Sequence, residues 1–179
     1  MPDDDGLIRE LPRIRRYLRH NEAEDARFGE FVKIRLNLPN AELDALVKTA
    51  TDAVWSQIDC LTCGNCCKQL QIVIDERDIR RLAKRLGSSP AEVRRTYVAR
   101  SEDDGTLHFK SSPCPFLGED NACGVYEDRP QACRDFPYLH AGNFRHRVFV
   151  TLENAEICPI AFNVWQKLKV QLKFGKNKK

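Results

Sequence analysis

Four of the eight cysteines in this chain lie in one short motif, CLTCGNCC, as Cys60, Cys63, Cys66 and Cys67. Hydrophobic packing does not require thiols at this spacing, whereas thiolates two residues apart on a tight loop can converge on one metal ion. Gly64 and Asn65 lie in the middle of the motif and favour a turn of the backbone there. The motif therefore predicts a metal centre held by thiolates.

The remaining cysteines are spread over the C-terminal half and complete the set of candidate metal ligands, Cys114, Cys123, Cys133 and Cys158. The first three cysteines of the motif have the spacing of ferredoxin ligands, whose fourth member is a distant cysteine followed by proline. Both Cys114-Pro115 and Cys158-Pro159 match that description. We expect Cys67 to point away from Cys66 and to serve a second metal. The sequence leaves open two single-ion sites, one cluster with spare thiols, or a compact multinuclear centre.

The ligand type narrows the choice of metal. Soft thiolates select zinc, iron–sulfur clusters or copper(I) over hard cations. A four-thiolate zinc site usually brings two separated C-x-x-C pairs, but here three cysteines share one loop at cluster-ligand spacing. We therefore predict iron or an iron–sulfur cluster as the cofactor, with zinc as the alternative. Arg129 and Arg134 lie near Cys133 in the sequence and are predicted to contact and neutralise this negatively charged centre.

From composition and the N-terminus we expect a cytoplasmic protein. Hydrophobic residues make up 42% and charged residues 31%, and no apolar run has the length of a membrane span. The first residues, MPDDDG, are acidic where a secretory signal is basic. In a reducing compartment eight cysteines favour metal ligation over disulfides.

The charge distribution is uneven but gives little evidence for a charged partner. Residues 166–179, QKLKVQLKFGKNKK, carry lysines and no acid, and we interpret them as a solvated tail. We expect residues 172–179 to be dispensable for the metal centre. No basic face with interleaved aromatic residues is present, so nucleic acid and membrane binding are not predicted, while an unidentified protein partner stays open.

The elements that must position the cysteines follow from periodicity and capping signals. Five helices are predicted. The first is an N-terminal arm within residues 1–30, and the second covers residues 41–58. The third is capped by Asp75 and ends at Gly87, the fourth is capped by Ser89, and the fifth starts near Pro159. Alternation of apolar and polar residues predicts strands at Phe31–Leu38, Leu70–Ile74, Leu107–Lys110 and Phe144–Leu152. Residues 111–137 have no such periodicity, and we expect metal binding to order them.

Together these elements predict a small, irregular α+β single domain organised around a cysteine-ligated metal site, with a helical N-terminal arm. The predicted divisions are residues 1–54 as a helical and strand extension, 55–165 as the metal-binding domain, and 166–179 as the lysine-rich tail.

Several motifs resemble one known family when they are taken in order. CLTCGNCC is followed by SPCPFLGEDNACGVYEDRPQACRDFP, with the segment IDERDIRRLAKRLGSSPAEV between them. This order resembles the YkgJ-type cysteine-cluster family, the zinc- or iron-chelating C-x-x-C-x-x-C-C domain proteins, over roughly residues 55–165. The resemblance implies a cytosolic protein that binds metal or an iron–sulfur cluster. It leaves two alternatives open, a metal-dependent protein-modifying or redox enzyme and a structural zinc module for partner binding.

Overall fold

The computed structural model describes residues 6–175, in which helices dominate. In chain order the helices are α1 (Leu11–Glu30), α2 (Asn40–Trp55), α3 (Cys60–Cys63), α4 (Asn65–Gln69), α5 (Glu76–Leu86), α6 (Pro90–Tyr97), α7 (Gln131–Asp135), α8 (Phe144–Ala155) and α9 (Pro159–Gln171). The strands are β1 (Val73–Ile74), β2 (Val98–Arg100) and β3 (Leu107–Phe109). The acidic N-terminal residues 1–5 and the tail lysines Lys176, Lys178 and Lys179 lie outside the described residues.

The chain folds as two compact units. We call Met1–Asp59 with Pro137–Lys179 the helical unit, and Cys60–Phe136 the cysteine unit. The predicted α+β class is confirmed, with the sheet lying entirely in the cysteine unit. No helix in the described part of the chain is both long and apolar enough to cross a membrane.

The core of the helical unit is built on α9, which is apolar on most of its circumference. Phe162, Trp165 and Leu168 of this helix have at most 1% exposure. The ring of Phe28 on α1 meets the Trp165 ring edge-on, with centroids 4.9 Å apart. A helix that is apolar nearly all round is expected to be buried, and α9 is.

A buried ion pair lies inside this helical core. Asp25 is 1% exposed and accepts a hydrogen bond from the Trp165 indole at 2.6 Å. Its carboxylate also pairs with the Lys169 ammonium at 2.5 Å. Because a buried carboxylate is costly unless it is paired, these two partners are what allow Asp25 to remain buried.

The cysteine unit has a small antiparallel sheet in the order β1-β3-β2, so β3 is the central strand. His108 on β3 pairs with Val73 of β1 and with Ala99 of β2. Its core is apolar and includes Ile74, Ile79, Leu82 and Phe109, all 4% exposed or less. The predicted capping signals are confirmed. Asp75 and Asp78 form a reciprocal capping box at the start of α5, and Gly87 ends this helix with a φ of +63°.

Two predicted strands are wrong. Residues Phe31–Arg35 form a π-helix that continues α1, with Val32 buried and Ile34 exposed on opposite sides. Residues 144–152 belong to α8, whose buried residues Phe144, Val148, Thr151 and Ala155 recur at helical spacing. In apolar segments this short, periodicity alone does not distinguish a strand from a helix.

Tertiary contacts explain why α8 starts where it does. The Asp44 carboxylate on α2 accepts hydrogen bonds from the backbone N–H groups of Asn143 and Phe144, each at 2.8 Å. These are N–H groups at the start of α8, where they have no partner within the helix. The cap lies about 100 residues away in the sequence, so local capping rules could not locate it.

Candidate metal centre

The CLTCGNCC motif folds as two very short helices separated by one glycine. Cys60 and Cys63 are the first and last residues of α3, and Cys66 and Cys67 lie on α4. Gly64 joins them with a φ of +61°, in the left-handed region that side-chain-bearing residues disfavour. The turn that the sequence predicts at Gly64 is therefore present.

Gly64 also lies where this motif contacts the later loop that carries Cys114 and Cys123. A Cβ atom at Gly64 would lie 2.9 Å from Cβ of Asn121, closer than carbon atoms tolerate. Asn121 itself has a φ of +66°, and its amide donates to the Thr62 carbonyl oxygen at 3.4 Å. The two cysteine-bearing loops thus contact each other at a position that only glycine fits.

Cys66 and Cys67 do not point apart, contrary to the expectation from their adjacency. Their sulfur atoms are 4.0 Å apart. A tetrahedral ion with metal–sulfur bonds of about 2.3 Å places its sulfur ligands roughly 3.8 Å apart. The pair is therefore close to the separation of two ligands on one ion.

The second loop is joined directly to the motif by the backbone. The Cys114 N–H donates to the Cys67 carbonyl oxygen at 2.7 Å. Cys114, Cys123 and Cys133 all pack against the same apolar core of the cysteine unit, and their thiols are not bridged by disulfides. Segments that are far apart in sequence thus bring these three cysteines onto the same core.

Electrostatic interactions connect four thiols, which we call the four-thiol set: Cys67, Cys114, Cys123 and Cys133. The charge of Cys67 raises the pKa of each of the other three. Burial is the main cause of the raised pKa at Cys114, about 11, and at Cys133, about 12. Burial also raises the pKa of Cys123. The pKa of Cys67 is raised mainly by its hydrogen bond with the Cys66 thiol, and then by burial. A bound cation would reverse this balance, because it stabilises the thiolate form.

The two predicted arginines have different environments. The charge of Arg129 lowers the pKa of Cys67, Cys123 and Cys133, opposing the effect of burial. Its guanidinium lies over the Tyr126 ring, with Cζ 3.8 Å from the ring centroid. The same group donates a hydrogen bond to the Tyr126 carbonyl oxygen at 2.7 Å. Arg134 instead donates to the backbone carbonyl oxygens of Glu127 and Arg129. Arg129 is thus the cation beside the thiols, and Arg134 stabilises the turn that carries it.

A buried carboxylate that the sequence analysis did not single out fixes the position of Cys133. Asp78 is 3% exposed and accepts a hydrogen bond from the Gln131 N–H at the start of α7, the helix that carries Cys133. Asp78 also pairs at 2.5 Å with Arg81, whose guanidinium donates to the Arg129 carbonyl oxygen at 2.8 Å. The sequence predicted the cap at Asp75 but not the role of Asp78, whose contact with Gln131 spans 53 residues.

Cys158 is the one candidate ligand outside the cysteine unit. It is 8% exposed and precedes α9, where its carbonyl oxygen accepts from the Phe162 N–H at 3.0 Å. Its assignment as a metal ligand stays a prediction.

The donor chemistry of this site fits a soft metal. The four-thiol set provides soft sulfur donors, with one guanidinium beside them. Within the described residues, no three cysteine, histidine or carboxylate side chains are close enough to hold one ion.

Comparison with known proteins identifies the cysteine-rich part of the chain. Residues 59–159 match the CxxCxxCC family model, described as "Putative zinc- or iron-chelating domain". No curated protein and no solved structure matches the chain significantly. The matched segment is more than half of the 179 residues and contains the four-thiol set, Arg129 and the CLTCGNCC motif. The chain belongs to the CxxCxxCC family of zinc- or iron-chelating domains.

Proposed function

We propose that this protein is a cytosolic iron-binding protein whose cysteine unit holds an iron–sulfur cluster. The family assignment supports chelation of zinc or iron, and the soft donors agree with both metals. The choice of iron depends on the arrangement of the thiols.

The observation that carries this proposal is the spacing of the CLTCGNCC motif. Cys60, Cys63 and Cys66 have the spacing of the first three cluster ligands in bacterial ferredoxins. A four-thiolate zinc site more often brings two separated C-x-x-C pairs. The spacing therefore favours an iron–sulfur cluster.

The surroundings of the thiols also suit a cluster. Burial, the neighbouring guanidinium of Arg129 and the aromatic core containing Phe109 and Phe116 limit water around the site. Hydrogen bonding, charge and solvent exclusion are the features by which proteins set the potential of such a centre. When bound, a cluster of this kind supplies one-electron chemistry or a structural crosslink between the loops.

Metal analysis of protein purified without oxygen tests the proposal. We expect iron and acid-labile sulfide in the protein and visible absorption that bleaches on reduction. Colourless protein with full zinc occupancy under the same conditions would contradict iron and favour a structural zinc module. Protein purified in air serves as the control, because exposed clusters are lost to oxygen and zinc then replaces iron.

A further inference from the structure

Helix α5 of the cysteine unit is divided into an apolar face and a basic face. Its residues Ile79, Leu82 and Ala83 are at most 2% exposed and pack in the core of this unit. Basic residues recur on the remaining surface at a spacing of three or four: Arg77, Arg80, Arg81, Lys84 and Arg85. Residues at this spacing are neighbours on one side of a helix, so their charges form a continuous positive surface.

Two of these basic side chains have a structural role. Arg81 pairs with the buried Asp78 carboxylate at 2.5 Å and donates to the backbone carbonyl oxygens of Asp128 and Arg129. Arg85 lies 3.8 Å from the Asp128 carboxylate. Both side chains therefore attach α5 to the turn that precedes α7, and the fold accounts for them.

The other three basic residues, Arg77, Arg80 and Lys84, are exposed, and we call them the α5 cations. Across residues 6–175, none of their side chains is ion-paired or hydrogen-bonded to another residue. Like charges three or four residues apart destabilise a helix, and a cation in its first turn opposes the helix dipole. The α5 cations are thus an arrangement that the fold itself does not require.

Neighbouring elements extend this positive surface. Glu76, at the start of α5, pairs with Arg94 of α6 at 2.5 Å. This hydrogen bond is the main reason that the pKa of Glu76 lies below its ordinary value, and the nearby positive charges lower the pKa further. Those charges belong to Arg94, Arg80 and Arg100. The Glu76 carboxylate is therefore already engaged by a cation and leaves the rest of the surface positive.

The spacing of the α5 cations suits the carboxylates of an acidic polypeptide. Arg80 and Lys84 are about one helical turn apart, or about 6 Å along the helix axis. Alternate side chains of an extended peptide lie about 7 Å apart, so successive carboxylates on one side of an acidic segment can reach successive cations. Such charge complementarity steers association and selects the partner.

Two other anionic partners fit this surface less well. The α5 sequence ERDIRRLAKRL contains no aromatic side chain on which a nucleic-acid base could stack. A helix that binds a membrane surface inserts its apolar face between lipids, but the apolar face of α5 is buried in the protein core.

We propose that the α5 cations, Arg77, Arg80 and Lys84, form a docking site for an acidic segment of another protein. The site adjoins the candidate metal centre, because Arg81 on the same helix donates to the Arg129 carbonyl oxygen at 2.8 Å. It contains no thiol, so this inference goes beyond the proposed metal binding and does not depend on it.

Matched triple variants of the full chain test the docking site. R77Q/R80Q/K84Q removes the α5 cations, and R16Q/R19Q/R27Q removes three exposed arginines from α1 of the helical unit. Binding of a fluorescent polyglutamate peptide is measured by anisotropy at low and at physiological salt. We expect R77Q/R80Q/K84Q to weaken binding by about 10-fold or more, and the control to remain within about 2-fold of the parent. In both cases binding should weaken as salt is raised.

A second measurement uses the parent protein and so does not depend on a variant that folds. A carbodiimide joins lysine amines to carboxylates in contact with them, and the crosslinks formed with polyglutamate are mapped by mass spectrometry. We expect crosslinks at Lys84 in preference to Lys167, an exposed lysine of α9 in the helical unit.

Several outcomes would overturn the docking site. These are no binding of polyglutamate by the parent, equal losses in the two triple variants, or crosslinks at Lys167 as frequent as those at Lys84. Tighter binding of polyuridylate or of phosphatidylserine vesicles through the α5 cations, at the same salt, would replace the acidic protein with nucleic acid or a membrane.

Metal analysis of the same variants keeps this inference separate from the proposed function. We expect R77Q/R80Q/K84Q to retain the metal content and circular dichroism of the parent. Loss of metal from this variant would mean that the α5 cations support the metal centre, and would reject a role confined to docking. A parent without iron or zinc would contradict the proposed function and leave the docking site to be decided by the peptide measurements.

Discussion

Burial and neighbouring charge determine the chemistry of the individual thiols. Cys114 and Cys133 lie against an apolar core, which raises the pKa of each thiol to about 11 and about 12 respectively. At neutral pH both are protonated unless a cation compensates the charge. These residues are therefore poor nucleophiles without a metal, because the thiolate is the reactive form.

The raised pKa values predict how the stability of chelator-treated protein depends on pH. The folded chain binds these protons more tightly than the unfolded chain, whose thiols have a pKa near 9.0. The contribution of Cys114 and Cys133 to the free energy of unfolding is therefore fully present below pH 9. It is lost as the pH rises through their folded-state pKa values of about 11 and about 12. We expect the urea midpoint to fall above pH 9, and to fall less in a C114S/C133S variant. An equal fall in the variant would show that other groups cause it.

Arg129 allows a prediction about charge compensation. Replacing it with alanine removes the cation beside Cys67, Cys123 and Cys133 and its stacking on Tyr126. Loss of a supporting residue of this kind typically weakens metal binding by about 10-fold or more. We expect Arg129→Ala to do so in a competition titration with a chromogenic chelator.

The matched control for this prediction is Arg95→Ala. Arg95 is an exposed arginine of the same unit that forms an ion pair with Glu92 at 3.6 Å, and exposed pairs of this kind contribute little. We expect parental metal affinity for this control. Equal affinity losses in the two variants would mean that the effect is overall charge and not the position of Arg129.

At the scale of elements, the sequence predicts helices and strands that are encoded locally, but it does not predict contacts between segments far apart in the chain. The helices at Asn40–Trp55 and Glu76–Leu86 and the strand at Leu107–Phe109 were predicted, because their caps and periodicity are encoded locally. The predictions for Phe31–Arg35 and α8 were wrong, because the buried sides of these segments are defined by packing against other helices. The roles of Asp78 and Asn121 at the candidate centre were missed for the same reason, since each contacts a segment more than 50 residues away.

The short helices of the motif depend on Gly64, which gives a prediction with a close control. Gly64 and Gly87 both have left-handed backbones, with φ of +61° and +63°, but only a Cβ at Gly64 meets a neighbour, Asn121. Alanine at either position costs about 1–2 kcal/mol of backbone strain. We expect Gly64→Ala also to displace α3 or α4 and to lower metal content, measured as metal per chain. Gly87→Ala should lose stability but keep its metal, and loss of metal there would assign the effect to general destabilisation.

At the scale of the whole molecule, the two units differ in the size of their cores and in their cysteine content. The helical unit contains most of the fully buried large side chains, Trp165 and Phe28 among them, whereas the cysteine unit has a smaller core and seven of the eight cysteines. A small core is often supplemented by a bound metal. Changes confined to the helical core are therefore expected to alter stability without altering the ligands.

The C-terminus tests this division of roles. Phe174 is half-buried, and its ring packs on Phe28 at 5.1 Å and on Phe31 at 5.5 Å. A chain ending at Gln171 loses this aromatic contact, so we expect it to lose about 1–3 kcal/mol in the free energy of unfolding. It should keep the parental metal content, because the residues removed contribute no ligand. A chain ending at Gly175 keeps Phe174 and is the control, with stability and metal content both unchanged. Loss of metal in the shorter chain alone would mean that the ligands depend on the helical core, and would reject the separation of roles.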